Sequence, residues 1–185
     1  YGEKGYARRD GGPWQSRILY PEGVSSLGYC VRGDSGIKTP HDIKPGMKIN
    51  YVTLADAPVQ QMVGLVAWAN IYFEDVIWLP AASPTTMFRM LMDGKADVII
   101  GYPTSSTLYE VEASPHGLGW IELDAEKDPE GAQRLVERYP WQTFAINSTG
   151  VPTSVGVPMG LNIVYYFTAV ETDPELVYSL VKWLD

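Results

Sequence analysis

Apolar positions along this chain fall into short blocks whose spacing switches between the period of a strand and that of a helix. Residues 26–32 read as a strand, after a Gly-rich, polar stretch over 1–16 that reads as irregular. The following segment, 32–46, is rich in turn formers. A repeating order then sets in. Residues 48–52 read as a strand. Residues 58–69 read as a helix, with Val59, Met62, Val63, Val66 and Ala69 at helical spacing and Pro58 suited to its first turn. A short strand over 76–79 follows. Ser83 then caps a helix with Pro84 at its first position, Met87, Phe88 and Leu91 as its buried stripe, and Gly94 as its stop. Residues 96–100 form a dense apolar run, the pattern of a strand covered on both faces.

The second half continues in the same way. A helical pattern spans 104–112 and a strand spans 120–123. Asp128-Pro129-Glu130 opens a helix to about 138, with Ala132, Leu135 and Val136 inward. Asp173-Pro174-Glu175 opens the last helix, where Leu176, Val177, Leu180, Val181 and Leu184 make one face. Between them, 155–170 is a long apolar stretch interrupted by Gly156, Pro158 and Gly160, which predicts strand, turn, then strand or helix. Alternating strands and helices imply an α/β fold with a mostly parallel sheet. In such sheets, ligands sit beyond the carboxyl ends of strands, beside helix N-termini. That rule selects three junctions, at 52–58, 100–104 and 147–153.

At the first junction, the start of a helix leaves N–H groups unpaired within the helix, a docking point for a polar ligand group. Thr53 adds a hydroxyl. Asp56 suits an N-cap; facing a ligand instead, it favours an ammonium or hydroxyl over a carboxylate. At the second junction, Gly101-Tyr102-Pro103 ends a strand and opens a helix, and Tyr102 offers a ring face and a phenol. The alternative for Tyr102 is a phenol packed under a loop. The third junction, from Asn147 to Thr153, is a polar turn that reads as a surface loop or a hinge.

Composition narrows the function classes. The 185 residues are 45% apolar and 19% charged, which suits a chain with a real core. A net charge of −8 repels phosphate backbones and anionic lipids, which argues against nucleic-acid or membrane-surface partners. The single cysteine, Cys30, sits in an apolar run and reads as a small buried hydrophobe. His41 and His116 stand beside prolines without metal-ligand spacing. No nucleophile elbow, phosphate loop, dinucleotide fingerprint or zinc-protease helix occurs, so neither an enzyme nor a cofactor is expected. Six Trp and twelve Tyr are many for this length; most suit a core, and a few in a cleft suit an organic ligand.

Several ordered segments resemble the TAXI family of solute-binding proteins of TRAP transporters. They are Leu19-Tyr20-Pro21-Glu22, then Val31-Arg32-Gly33-Asp34-Ser35-Gly36-Ile37-Lys38-Thr39, then His41-Asp42-Ile43-Lys44-Pro45-Gly46-Met47-Lys48-Ile49. Met90-Leu91-Met92-Asp93-Gly94-Lys95-Ala96-Asp97-Val98, Gly101-Tyr102-Pro103, Val155-Gly156-Val157-Pro158 and Leu176-Val177-Tyr178 continue the series. The resemblance runs from about residue 17 to the end, and it implies a two-lobed type II periplasmic-binding fold. It places part of the first lobe and a crossover in 1–47, the second lobe in 48–145, and the return crossover with a first-lobe helix in 146–185. The family's N-terminal portion has no counterpart here. It also implies an extracytoplasmic or periplasmic monomer that captures a small carboxylate or amino acid between lobes and delivers it to TRAP membrane subunits. Thr53, Ala55, Asp56, Ala57, Tyr102 and Thr153 are then the second lobe's ligand-binding residues. The family's usual Gly-Ser-Gly turn is replaced here by Ala55-Asp56-Ala57-Pro58. A ligand-sensing domain of a regulator with the same fold is the alternative.

Overall fold

A computed structural model describes residues 15–53 and 56–184, except for the side chains of residues 56–58. Residues 1–14, expected to be irregular, lie outside it. The chain divides into two units: residues 26–161, and residues 1–25 together with 162–185. Two strands, β1 (Ser16–Arg32) and β7 (Pro158–Ala169), each run from one unit into the other.

The larger unit is an α/β body. Its strands are the second half of β1, then β2 (Lys48–Val52), β3 (Ile77–Ala81), β4 (Ile99–Gly101), β5 (Leu118–Ile121) and β6 (Thr143–Ile146), with the first residues of β7. β2 pairs parallel with β3, from Lys48 opposite Ile77 to Val52 opposite Ala81. A parallel bridge joins Ile49 to Val98, just ahead of β4. β1 lies between β4 and β5 and is antiparallel to both. The spatial order is therefore β3-β2-β4-β1-β5, with β1 alone reversed.

The reversal has a physical cause. β2, β3, β4 and β5 are linked by helices that return the chain to the same starting edge, as parallel strands require. The segment between β1 and β2 contains one short 3-10 turn, Pro40–Asp42, and no crossover helix. β2 therefore starts at the edge where β1 ended. β6 and β7 pair antiparallel, from Thr143 opposite Leu161 to Ile146 opposite Pro158. The sheet is thus mixed where a mostly parallel one was expected, because β1 pairs antiparallel with β4 and β5, and β6 with β7, within the α/β class expected.

The helices are α1 (Asp56–Trp68), α2 (Pro84–Met92), α3 (Ser106–Glu112), α4 (Pro129–Arg138) and α5 (Pro174–Leu184). Local signals set their ends. The Ser83 hydroxyl accepts the Thr86 N–H at 3.2 Å, and Asp128 accepts the Gly131 N–H at 2.9 Å. Each cap is followed by proline at the first helical position. α1 ends at Trp68, and Asn70 just beyond it takes a φ of 59° that suits a residue leaving a helix. α4 then secures that end: Arg134 donates to the carbonyls of Ala67 at 3.0 Å and Trp68 at 2.8 Å. Gly64 of α1 lets Leu135 of α4 close in, since a Cβ there would lie 3.0 Å from the leucine Cγ.

Between these layers sits an apolar core of Leu27, Tyr29, Ile49, Leu65, Ile99 and Ile121, all at most 2% exposed. Cys30 is buried among them as expected, and burial pushes its thiol pKa well up, so it stays a neutral packing group. β3 is the outer strand on its side, paired with β2 alone among the described residues. Its odd-numbered residues bond toward β2: Ile77 donates to Met47, and Ala81 accepts from Thr53. Trp78 and Pro80 therefore direct their backbone to the open side.

Candidate functional site

Four strands of the larger unit point the same way, so their carboxyl ends share one edge. The Ile49–Val98 bridge fixes the register there. Beyond this bridge β2 continues to Val52 and β4 to Gly101 in the same direction. Thr53 and Tyr102 are therefore the first residues beyond the carboxyl ends of β2 and β4, strands joined by the Ile49–Val98 bridge. Thr53 is exposed. Its N–H donates to Ala81 at 3.1 Å and its hydroxyl reaches the same carbonyl at 3.4 Å. This bond ties the end of β2 to the end of β3 and leaves the hydroxyl's lone pairs outward.

Tyr102 is 49% exposed. Its carbonyl accepts the Ser105 N–H at 2.8 Å, which closes the turn into α3. Partial burial of the phenol pushes its pKa up, so it is a neutral donor and acceptor. Ala55 lies outside the described residues, as do the side chains of Asp56 and Ala57. The backbone of α1 begins at Asp56, beside Thr53.

The third junction is built onto the second. Val151 donates its N–H to the Pro103 carbonyl at 2.9 Å. Gly150, at φ 100°, crosses so close that a Cβ would meet the Pro103 oxygen at 2.3 Å. Asn147, 2% exposed, organises the loop from within. Its Nδ2 donates to the Thr149 carbonyl at 2.7 Å, the Ser154 carbonyl at 3.1 Å and the Ser154 hydroxyl at 3.0 Å. Its backbone pairs with Val157 and Gly156 at 2.9 and 2.8 Å. The segment is a densely bonded loop.

Thr153 stands at the far end of that loop. Its N–H donates to the Glu112 carboxylate at 2.8 Å, and its hydroxyl accepts the indole N–H of Trp120 at 3.2 Å. The hydroxyl proton remains free to donate. Glu112 was not singled out by sequence, because nothing in its local pattern signals a bond to a backbone 41 positions on. Ser83 was read as a cap and is one. Its place at the end of β3 also puts it on the same edge as Thr53 and Tyr102.

Both histidines are held by carboxylates. His41 Nε2 lies 2.7 Å from Asp128 and His116 Nδ1 lies 2.8 Å from Asp34. The Asp128 Oδ2 also accepts the Trp68 indole N–H at 2.5 Å. An open cavity of about 380 Å³ lies against this group, lined by Thr39, His41, Trp68, Glu122, Asp124 and Asp128 among others. It is not part of the strand-end site. Trp68 closes the 13-residue α1, whose start adjoins Thr53, so some 20 Å of helix separates the two. Among the described residues, no group of three or more His, Cys, Asp or Glu side chains is placed to hold a metal ion, and no helix is long and apolar enough to cross a membrane.

The model of the family described as NMT1/THI5 like matches residues 24–155. The chain belongs to the NMT1/THI5-like family. No curated protein matches it. Among solved structures, this NMT1/THI5-like chain is similar to the probable amino-acid ABC transporter extracellular-binding protein ytmK from Bacillus subtilis. Identity there is 13%, with 92% of this chain and 57% of that one covered and a TM-score of 0.51. A mutant of ArgBP from T. maritima gives 15% identity, coverage of 91% and 54%, and a TM-score of 0.51. An ancestral arginine-binding protein bound to arginine gives 15%, 91%, 57% and 0.50. The NMT1/THI5-like chain thus spans little more than half the length of these structures. The likeness is one of fold, and the fold is the type II periplasmic-binding one expected from the sequence.

Proposed function

We propose that this chain is the solute-binding part of an extracytoplasmic binding protein, which captures a small organic molecule and hands it to membrane transporter subunits without chemical turnover. The observation that carries this reading is the placement of Thr53 and Tyr102 beyond neighbouring parallel strand ends, with the 147–153 loop bonded onto the second of them. Strand ends of this kind, beside helix N-termini, are where α/β sheets take ligands. The residues offered are hydroxyls, a phenol ring, backbone and the Asp56 carboxyl group, which suit an amino acid, whose ammonium Asp56 favours, better than a small carboxylate.

On this reading Thr53, Ala55, Asp56, Ala57, Tyr102 and Thr153 line the larger unit's share of the site. The ordered motifs from residue 17 onward support a TRAP-type membrane partner of the TAXI class. The larger unit takes the role of the second lobe, and closure of the lobes on the solute supplies the signal to the membrane subunits. Location outside the cytoplasm follows from that role.

The test is a thermal-shift titration of the protein at its native length with glutamate, arginine, small dicarboxylates and aromatic acids. A ligand at one hundred times its Kd adds about 2.7 kcal/mol of stability, a clear rise in Tm. Tyr102→Ala and Thr53→Ala are expected to weaken that ligand at least tenfold. Unchanged affinity in both variants defeats the site assignment. Turnover of the bound compound defeats the binding-protein reading.

A further inference from the structure

Glu112 is the last residue of α3, a helix with no basic residue in its final turn. A carboxylate there stands beside the helix's unpaired carbonyls, at the negative end of the peptide dipoles. Among the described residues it has no cationic partner to offset that placement. Its side chain instead accepts the Thr153 N–H, 41 positions on, at 2.8 Å. That N–H is short of acceptors. Thr153 lies in a 3-10 turn, Pro152–Ser154, where the Ser154 N–H bonds to Val151 and the Val155 N–H to Pro152. The Thr153 N–H has no acceptor within the turn, and Pro152 ahead of it has no N–H at all. The carboxylate that α3 least favours is thus the acceptor this turn lacks.

The bond closes a bracket. β4 leads through Tyr102 and Pro103 into α3, and the 147–153 loop is fastened at both ends of that helix. Val151 bonds to the Pro103 carbonyl and Thr153 to Glu112. Helix side chains lean toward the N-terminus, so Glu112 reaches back along α3 toward the first anchor. β5 adds a third hold, the Trp120 indole N–H on the Thr153 hydroxyl at 3.2 Å. Asn147 bonds the loop from within, so its internal shape does not depend on Glu112. What Glu112 sets is where the loop lies against α3.

We propose that Glu112 is a positioning residue for the strand-end site: its carboxylate latches Thr153 to α3 and so holds the 147–153 loop against the turn that carries Tyr102, in the arrangement a ligand engages. This rests on the ligand reading above. The latch is close to balanced, because the charge-assisted bond at Thr153 is set against a carboxylate at the wrong end of α3. A balanced latch has a fastened and a free arrangement. A ligand that fits the fastened one draws the population toward it, and its apparent affinity scales with the fastened fraction. Loss of Glu112 therefore weakens a ligand that Glu112 never touches.

Three variants of the protein at its native length test it. Glu112→Ala removes acceptor and charge, Glu112→Gln keeps the acceptor, and Glu112→Lys removes the acceptor while suiting the end of α3. Amide hydrogen exchange without ligand, read by NMR, comes first. The Thr153 amide is expected to exchange about tenfold faster in Glu112→Ala and Glu112→Lys, and within about threefold of the parent in Glu112→Gln, with the β4 amides unchanged. Melting temperatures of all three are expected to stay within about 3 °C of the parent. Glutamate and arginine are then titrated calorimetrically. Whichever binds the parent is expected to bind Glu112→Ala and Glu112→Lys about tenfold more weakly, and Glu112→Gln within about threefold of the parent. An unchanged Thr153 amide in Glu112→Ala and Glu112→Lys overturns the latch. Parent affinity in those two variants, despite a faster amide, overturns the positioning role and leaves the ligand reading standing. Affinity that falls only in step with melting temperature makes Glu112 a residue of the fold alone and overturns the proposal as well. A parent that binds neither compound defeats the amino-acid reading and the positioning role with it.

Discussion

The Val151 amide donates to the Pro103 carbonyl at 2.9 Å and joins two turns that the sequence keeps far apart. One turn carries Tyr102 out of β4. The other leads through Thr153 into β7. The turn that carries Tyr102 and the 147–153 loop are thereby tied through a single backbone bond and the glycine beside it.

Gly150 makes that bond possible, and Gly150→Ala is expected to break it. The φ of 100° is strained for alanine, and its Cβ would sit 2.3 Å from the Pro103 oxygen. A loss of about 2 kcal/mol is expected from strain at such a position. Urea denaturation measures it, and a midpoint equal to that of the parent protein contradicts the packing described.

Thr153→Val separates two roles. The variant keeps the N–H that bonds Glu112 but removes the acceptor for Trp120, whose side chain is almost fully buried. An indole N–H left without a partner costs about 1–3 kcal/mol. The expected outcome is a stability loss of that size, read by thermal melting. A variant that loses ligand affinity with no loss of stability assigns Thr153 to the ligand alone.

The α1–α4 contact rests on Arg134. Arg134→Ala removes two charge-assisted bonds to the last carbonyls of α1, and each such bond contributes about 1.5–3 kcal/mol. An overall loss of about 2 kcal/mol is expected, since water replaces part of the interaction. Arg134→Lys is expected to recover a minor part, because a lysine cannot span both carbonyls with a planar fork.

Asp128 gives a pH signature. Desolvation pushes its carboxyl pKa up, but the Gly131 N–H, His41 and Trp68 outweigh it and hold the pKa below the usual carboxylate value. A lowered folded pKa means stability that is present above the unfolded value of about 3.9 and is lost as pH falls through the folded one. Asp128→Asn keeps a competent cap and removes the charge. The parent is therefore expected to exceed the variant in stability at pH 6, with the gap closing below about pH 4. Urea midpoints from pH 2.5 to pH 7 check this, and a gap that persists at the acid end contradicts it.

What could be read from the sequence depended on where the determining contact lay. α2 and α4 were legible because Ser83-Pro84 and Asp128-Pro129 announce their own starts, and those caps form as expected. β2 coincides with its expected span because its burial is set by neighbours on both faces. β6 was missed: its four residues carry no alternation, and pairing with β7 alone defines them. β1 extends ten residues earlier than the apolar run suggested, since its first part has no covered face to impose a pattern. Pro158 and Gly160 suggested a turn within 155–170, yet β7 runs through both. Gly160 is there for room, because a Cβ would meet the Gln142 side chain at 2.5 Å. At the site, the junctions followed from the order of strands and helices. The engagement of Thr153 with Trp120 and Glu112 did not, because it depends on tertiary approach.

The outward backbone of β3 bears on how the molecule behaves in company. Of the two residues that face away from β2, Trp78 and Pro80, the second has no hydrogen to give. A foreign strand approaching this flank finds its ladder interrupted after one rung, so stacking of copies into fibrils is discouraged at that border. One imino acid thereby guards solubility at a place where five residues of bare sheet would otherwise invite growth.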